Sequence, residues 1–134
     1  MMPDKKLRII IAKIGCDIHE RGALTLLRAL QDGGMEVIYT GKYQTPEGVV
    51  KMAIEEDADA IALSDSTGSM RHIASSVVRA LEKNGAPDIR LIAGGLIPKK
   101  DLPFLKKIGV TGNFGPGTPL PTIVDHIRAV SSKR

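Results

Sequence analysis

Five short apolar runs, each followed by a stretch with helical spacing, constrain this chain more than any other feature. The runs are Leu7 to Ala12, Glu36 to Thr40, Ala60 to Ser64, Ile89 to Gly94 and Val110 to Gly115. The first four are continuous and rich in Ile, Val and Leu, as strands covered on both faces are. The fifth, VTGNFG, is weaker. Helical spacing fills Gly22 to Gly34, Thr45 to Asp59, Ser69 to Gly85, Lys99 to Gly109 and Leu120 to Val130. Thr45-Pro46-Glu47 reads as an N-cap with proline at the first helical position, and Gly33, Gly85 and Gly109 close their helices.

Strand followed by helix, repeated in this way, predicts an α/β fold, because parallel neighbours need long crossovers. Five strands at this length favour the flavodoxin-like (Rossmann-like) parallel sheet of order 2-1-3-4-5, with helices on both faces. At 134 residues, 43% of them hydrophobic, the chain suits one domain over 1–134, with an ordered core at about 7–130.

Charge and cysteine usage narrow the partners. Nineteen basic against fifteen acidic residues give +4, yet the basic residues are scattered and aromatics make up 3%. Strand-binding proteins combine basic grooves with stacking rings, so no nucleic-acid partner is expected. The first apolar run is too short to span a bilayer and leads into a charged loop, which predicts no membrane association. The single cysteine, Cys16, excludes an internal disulfide and suits a cytoplasmic location.

In such sheets, ligands bind beyond the carboxyl ends of the strands, near the point where strand order reverses. Four unusual loops fall there: KIGCDIHERG (Lys13 to Gly22), SDSTGS (Ser64 to Ser69), GGLIP (Gly94 to Pro98) and FGPGTP (Phe114 to Pro119). In the first, His19 follows Asp17 by two residues. An imidazole binds a metal through one ring nitrogen, and a carboxylate on the other fixes its tautomer. Asp17 suits that second role, and Lys13 suits holding Asp17 ionised. An equally open reading is a surface loop whose Asp caps the next helix and whose His faces solvent. One histidine and one carboxylate do not close a zinc site, so a bound metal must bring most of its own ligands. The glycines of GGLIP and FGPGTP read either as tight turns or as a close approach to a planar group. His72 and His126 fall on helices and are assigned ordinary surface roles.

Taken together, these residues resemble the cobalamin-binding domain of adenosylcobalamin-dependent acyl-CoA mutases, the methylmalonyl-CoA mutase group. The likeness runs from about Leu7 to Val130 and rests on K-x-G-x-D-x-H-x-x-G at Lys13 to Gly22, VIYTG followed by QTPE, the Ser64 loop, GGLIP and FGPGTP. It implies that His19 is the lower axial ligand to the cobalt of adenosylcobalamin, with Asp17 and Lys13 completing a hydrogen-bonded relay. It implies contact with the cofactor and its displaced nucleotide tail at Asp17, Ile18, His19, Gly22, Ser64, Ser66 and Gly68. Gly94, Gly95, Phe114, Gly115, Gly117 and Thr118 belong to the same implied surface.

The resemblance also implies an isomerase that rearranges an acyl-CoA by radical chemistry. The acyl-CoA would be held mainly by a separate barrel domain, which alone needs roughly 250 residues. The expectation is therefore a small subunit working with a separately encoded large one. A corrinoid carrier for methyl transfer and a flavodoxin-like regulatory domain without cofactor are the alternatives. Three positions depart from the family pattern: Ile18 where glycine is usual, Ser66 where the serine loop usually has leucine, and Cys16 where an apolar or amide residue is usual.

Overall fold

A computed structural model describes residues 6–15, 19–42 and 44–133. Five parallel strands, β1 (Arg8–Ala12), β2 (Glu36–Tyr39), β3 (Ala60–Asp65), β4 (Arg90–Gly95) and β5 (Val110–Phe114), pair in the order β2-β1-β3-β4-β5. The helices are α1 (Arg21–Asp32), α2 (Pro46–Glu55), α3 (Met70–Lys83), α4 (Leu102–Lys107) and α5 (Leu120–Ser131), with one 3-10 turn at Lys99–Asp101. The predicted sheet order is the observed one.

Strand alternation divides the core between two faces. Ile10, Ile61, Leu63, Leu91 and Val110 pack against α2, α3 and α4, with Val50, Val77 and Leu105 across from them. Ile9, Ile11, Ala60, Ala62 and Ile92 face α1 and α5, meeting Leu30, Val124 and Ile127. Ile9, Ile10 and Ile11 are all fully buried, each contributing about 1.5–3 kcal/mol on removal from water.

Helix ends follow the local chemistry. Thr45 Oγ1 accepts the Gly48 N–H at 3.1 Å and Pro46 opens α2, as the sequence predicts. Gly85 and Gly109 take left-handed φ values of 72° and 89° after their helices. At α1 the left-handed residue is Gly34 (φ 88°) rather than Gly33, whose carbonyl instead accepts a hydrogen bond from Arg128 Nη2 at 2.9 Å. That contact ties α1 to α5 at the end remote from the loops.

β5 is irregular. Its register against β4 runs Leu91 to Val110, Ile92 to Thr111, then Gly94 to Phe114. Two steps along β4 thus match three along β5, the signature of a bulge. Gly112 and Asn113 absorb it at φ 80° and 53°. The extra residue breaks the alternation: Val110 faces α4, whereas Phe114, four residues on, joins the α1/α5 side.

Candidate functional site

The α1/α5 side of the sheet is filled at its amino end and hollow at its carboxyl end. Ile9, Ile11 and Leu30 close the first part. Farther along the strands the residues on that face are small, namely Ala62, Ser64 and Gly94. They floor a cavity of about 500 Å³ that α1 and α5 wall from the side. Its depth is apolar, with Leu26, Ile92, Ile123 and Ile127, and its mouth carries His19, Glu20, Arg21, Ser66 and Thr118. The size and the apolar depth with a polar edge are those of a small-molecule site.

Of the residues expected from the sequence, His19, Gly22, Ser64, Ser66, Gly94, Gly95, Phe114, Gly115, Gly117 and Thr118 converge on this cavity. Gly68 does not. The turn between β3 and α3, in which Gly68 has φ 82°, carries it into a neighbouring shallow depression with Leu96, Pro98 and Pro116. Asp17, Ile18 and Cys16 lie outside the described residues. Lys13 is fully buried, and its Nζ donates to Ser64 Oγ at 3.3 Å and to the Ser64 carbonyl at 3.4 Å. A buried ammonium needs such acceptors, and here it fixes Ser64 at the cavity floor.

The glycines separate by what their neighbours demand. A Cβ on Gly95, where φ is 121°, would sit 1.9 Å from the Asp65 carbonyl oxygen, so glycine is required there by the β3 backbone alone. The Asp65 carbonyl also accepts the Leu96 N–H at 2.9 Å. A Cβ on Gly94 would meet nothing closer than the Phe114 carbonyl at 3.6 Å, and one on Gly22 would meet nothing within 4 Å. Among the described residues no neighbour crowds these two positions, yet both border the cavity. Glycine there leaves room for a flat group against the wall, which fits a planar aromatic base with an attached polar tail.

Polar groups around the mouth are arranged by the fold. Glu20, beside His19, accepts the Tyr39 hydroxyl at 2.6 Å and pairs with Lys42 at 3.3 Å. The Tyr39 hydrogen bond, with help from the Lys42 charge, holds Glu20 below the usual carboxylate range. On β3, Asp65 is buried and turned away from the cavity. Its carboxylate accepts the Ser69 N–H at 2.8 Å and the Thr67 hydroxyl at 2.7 Å. It therefore closes the turn that leads into α3, and the SDSTGS loop adds no free carboxylate to the site.

Two features of the site are invisible as motifs. Leu26, Ile123 and Ile127 line the depth but read in sequence only as core-facing helical stripes. His126, expected at the surface, is part-buried instead: its Nε2 lies 3.0 Å from Thr111 Oγ1 and its ring stands edge-on to Phe114, centroids 5.3 Å apart. Burial lowers its pKa below the ordinary imidazole value.

Chemically, the arrangement offers one imidazole at the mouth of an apolar hollow. Among the described residues no group of three or more His, Cys, Asp or Glu could hold a metal ion. Among these residues His19 stands at the mouth without further metal-ligating side chains grouped around it. No helix among the described residues is long and apolar enough to cross a membrane.

Comparison with known proteins agrees with this geometry. A sequence model of the B12-binding domain matches residues 7–124. The chain is 38% identical over 133 residues to the 2-hydroxyisobutanoyl-CoA mutase small subunit of Aquincola tertiaricarbonis, covering 99% of this chain and 98% of that one. It is 39% identical over 129 residues to the pivalyl-CoA mutase small subunit of Xanthobacter autotrophicus, covering 96% and 86%. A cobalamin-binding protein from Desulfitobacterium hafniense shares the fold, with a TM-score of 0.79 at 20% identity over 94% of this chain and 60% of that one. This chain belongs to the B12-binding domain family, alongside the small subunits of acyl-CoA mutases.

Proposed function

We propose that this chain is the adenosylcobalamin-binding small subunit of a two-chain acyl-CoA mutase, with His19 as the lower axial ligand. The observation that carries the reading is the position of His19 at the mouth of an apolar cavity whose wall is left bare at Gly22 and Gly94. When bound, adenosylcobalamin supplies a carbon radical by homolysis of its cobalt–carbon bond. The chain's own residues bind and orient. The cavity takes the detached nucleotide base, and its apolar depth excludes water from that base. Ser64, held by Lys13, supplies a polar group on the floor, and Thr118, whose hydroxyl donates to the Gly115 carbonyl at 2.8 Å, supplies one at the mouth. By its place in the sequence motif, Asp17 would accept a hydrogen bond from the second His19 ring nitrogen and so fix the tautomer that would hold the metal.

The remaining chemistry belongs to a larger companion chain, a barrel subunit that holds the acyl-CoA, and both work in the cytoplasm. Activity then appears only on mixing the two. The first test needs this chain alone. Titration with hydroxocobalamin, followed by absorbance, is expected to give a base-off, histidine-on spectrum that His19→Ala abolishes. An identical spectrum for wild type and His19→Ala sinks the assignment.

A further inference from the structure

The bulge in β5 sets Phe114 into the cavity, and one side chain bridges it. Thr111 precedes the extra residue and Phe114 follows it. His126, on α5, touches both: its Nε2 is 3.0 Å from Thr111 Oγ1, and its ring meets the Phe114 ring edge-on at 5.3 Å. The Thr111 hydroxyl also lies 3.3 Å from the Leu91 carbonyl, so it either donates there and accepts from the imidazole, or donates to the imidazole, according to the His126 tautomer.

Without such a clamp the bulge is poorly held. Asn113 sits at φ 53°, and its buried Oδ1 has no hydrogen-bond partner among the described residues. Both are unfavourable, and such positions persist only where the surroundings over-determine them. The Phe114 ring also rests over Gly112, where an added Cβ would lie 2.8 Å from Phe114 Cε2. Backbone and ring are thus fitted to each other, and His126 holds the side of the ring that Gly112 does not.

We propose that His126 is a positioning residue for cofactor binding: it clamps the β5 bulge so that Phe114 forms a fixed wall of the cavity that receives the nucleotide tail. This rests on the cobalamin reading above. His126 itself is not among the residues lining the cavity and acts through Phe114.

The test uses two corrinoids, hydroxocobalamin, which carries the nucleotide tail, and cobinamide, which lacks it. Affinities of the purified chain are measured by absorbance titration for wild type, His126→Leu, Phe114→Leu and the double variant. His126→Gln, which keeps a donor for Thr111 but no ring, completes the set. Wild type is expected to prefer hydroxocobalamin. His126→Leu and Phe114→Leu are each expected to lose roughly three- to tenfold of that preference, the worth of an aromatic pair, with cobinamide affinity unchanged. The double variant should lose no more than either single, because both act through one wall. His126→Gln should fall between wild type and His126→Leu.

Full preference in both His126 variants, or additive losses in the double variant, overturns the proposal while leaving the cobalamin reading intact. A wild-type chain that binds both corrinoids equally overturns the tail cavity itself, and the clamp with it. Misfolding of His126→Leu is separable, since it lowers both affinities together and leaves His126→Gln to decide.

Discussion

The Asp65 carboxylate accepts the Ser69 N–H at 2.8 Å and so closes the turn that launches α3 from the end of β3. This one bond converts a strand terminus into a helix start on the opposite side of the sheet from the cavity. Asp65→Ala opens that turn and removes two charge-assisted hydrogen bonds, from the Ser69 N–H and the Thr67 hydroxyl. A loss of about 1–3 kcal/mol is expected in urea denaturation.

Gly94 and Gly95 are adjacent, yet alanine should act oppositely at them. Gly95→Ala drives a methyl into the Asp65 carbonyl at a φ of 121°, and a loss of at least about 3 kcal/mol in thermal unfolding is expected. Gly94→Ala meets only ordinary contacts. Its melting temperature should stay near wild type, while its affinity for hydroxocobalamin falls because the methyl occupies the cavity wall.

Lys13 is fully buried against Ser64. Lys13→Ala opens a void and strips a charge-assisted donor from the Ser64 hydroxyl and carbonyl. Denaturant titration should show a loss of about 2 kcal/mol. A stability equal to wild type would refute the anchoring role given to this ammonium.

Two titrations should be separable by pH. His126 has its pKa lowered by burial, so the unfolded chain takes up the proton more readily than the folded one. Its effect is absent above the unfolded imidazole value, about 6.5, and the fold loses stability as pH falls below it, levelling off under the folded pKa. Glu20, held low chiefly by Tyr39, gives stability that is present above the unfolded carboxylate value of about 4.3 and lost in more acid solution. Stability against pH, measured for wild type and His126→Gln, should differ in slope only in the upper of these windows.

Much of this was legible in the residues because the signals were local. Continuous Ile and Val runs at Ile9, Ile10, Ile11 and Ile61 fix doubly covered strands, and Thr45-Pro46 or Gly109 mark helix ends by backbone geometry alone. The sheet order then brings the loops after β1, β3, β4 and β5 to one rim. Local patterns do not reveal partners chosen by tertiary packing. VTGNFG reads as a weak strand because Gly112 and Asn113 bend it, and nothing in the sequence says that Phe114 thereby changes face. His126 looks like any helical histidine until Thr111, fifteen residues away, is placed beside it. Likewise the carboxylate of SDSTGS looks available for a ligand until Ser69 and Thr67 are seen to occupy it.

One sheet here separates a packed side from a hollowed one. Isoleucines and valines fill the α2, α3 and α4 side, whereas the opposite side is packed by Ile9, Ile11 and Leu30 only at its amino end and spends small residues at Ala62, Ser64 and Gly94 on empty space. A methyl added at Gly94 therefore stays on the hollow's side, whereas one added at Gly95 reaches the Asp65 backbone and is felt across the sheet. Side-chain size at Ala62 and Gly94 thus sets which guest is admitted, at positions that the α2, α3 and α4 packing does not use.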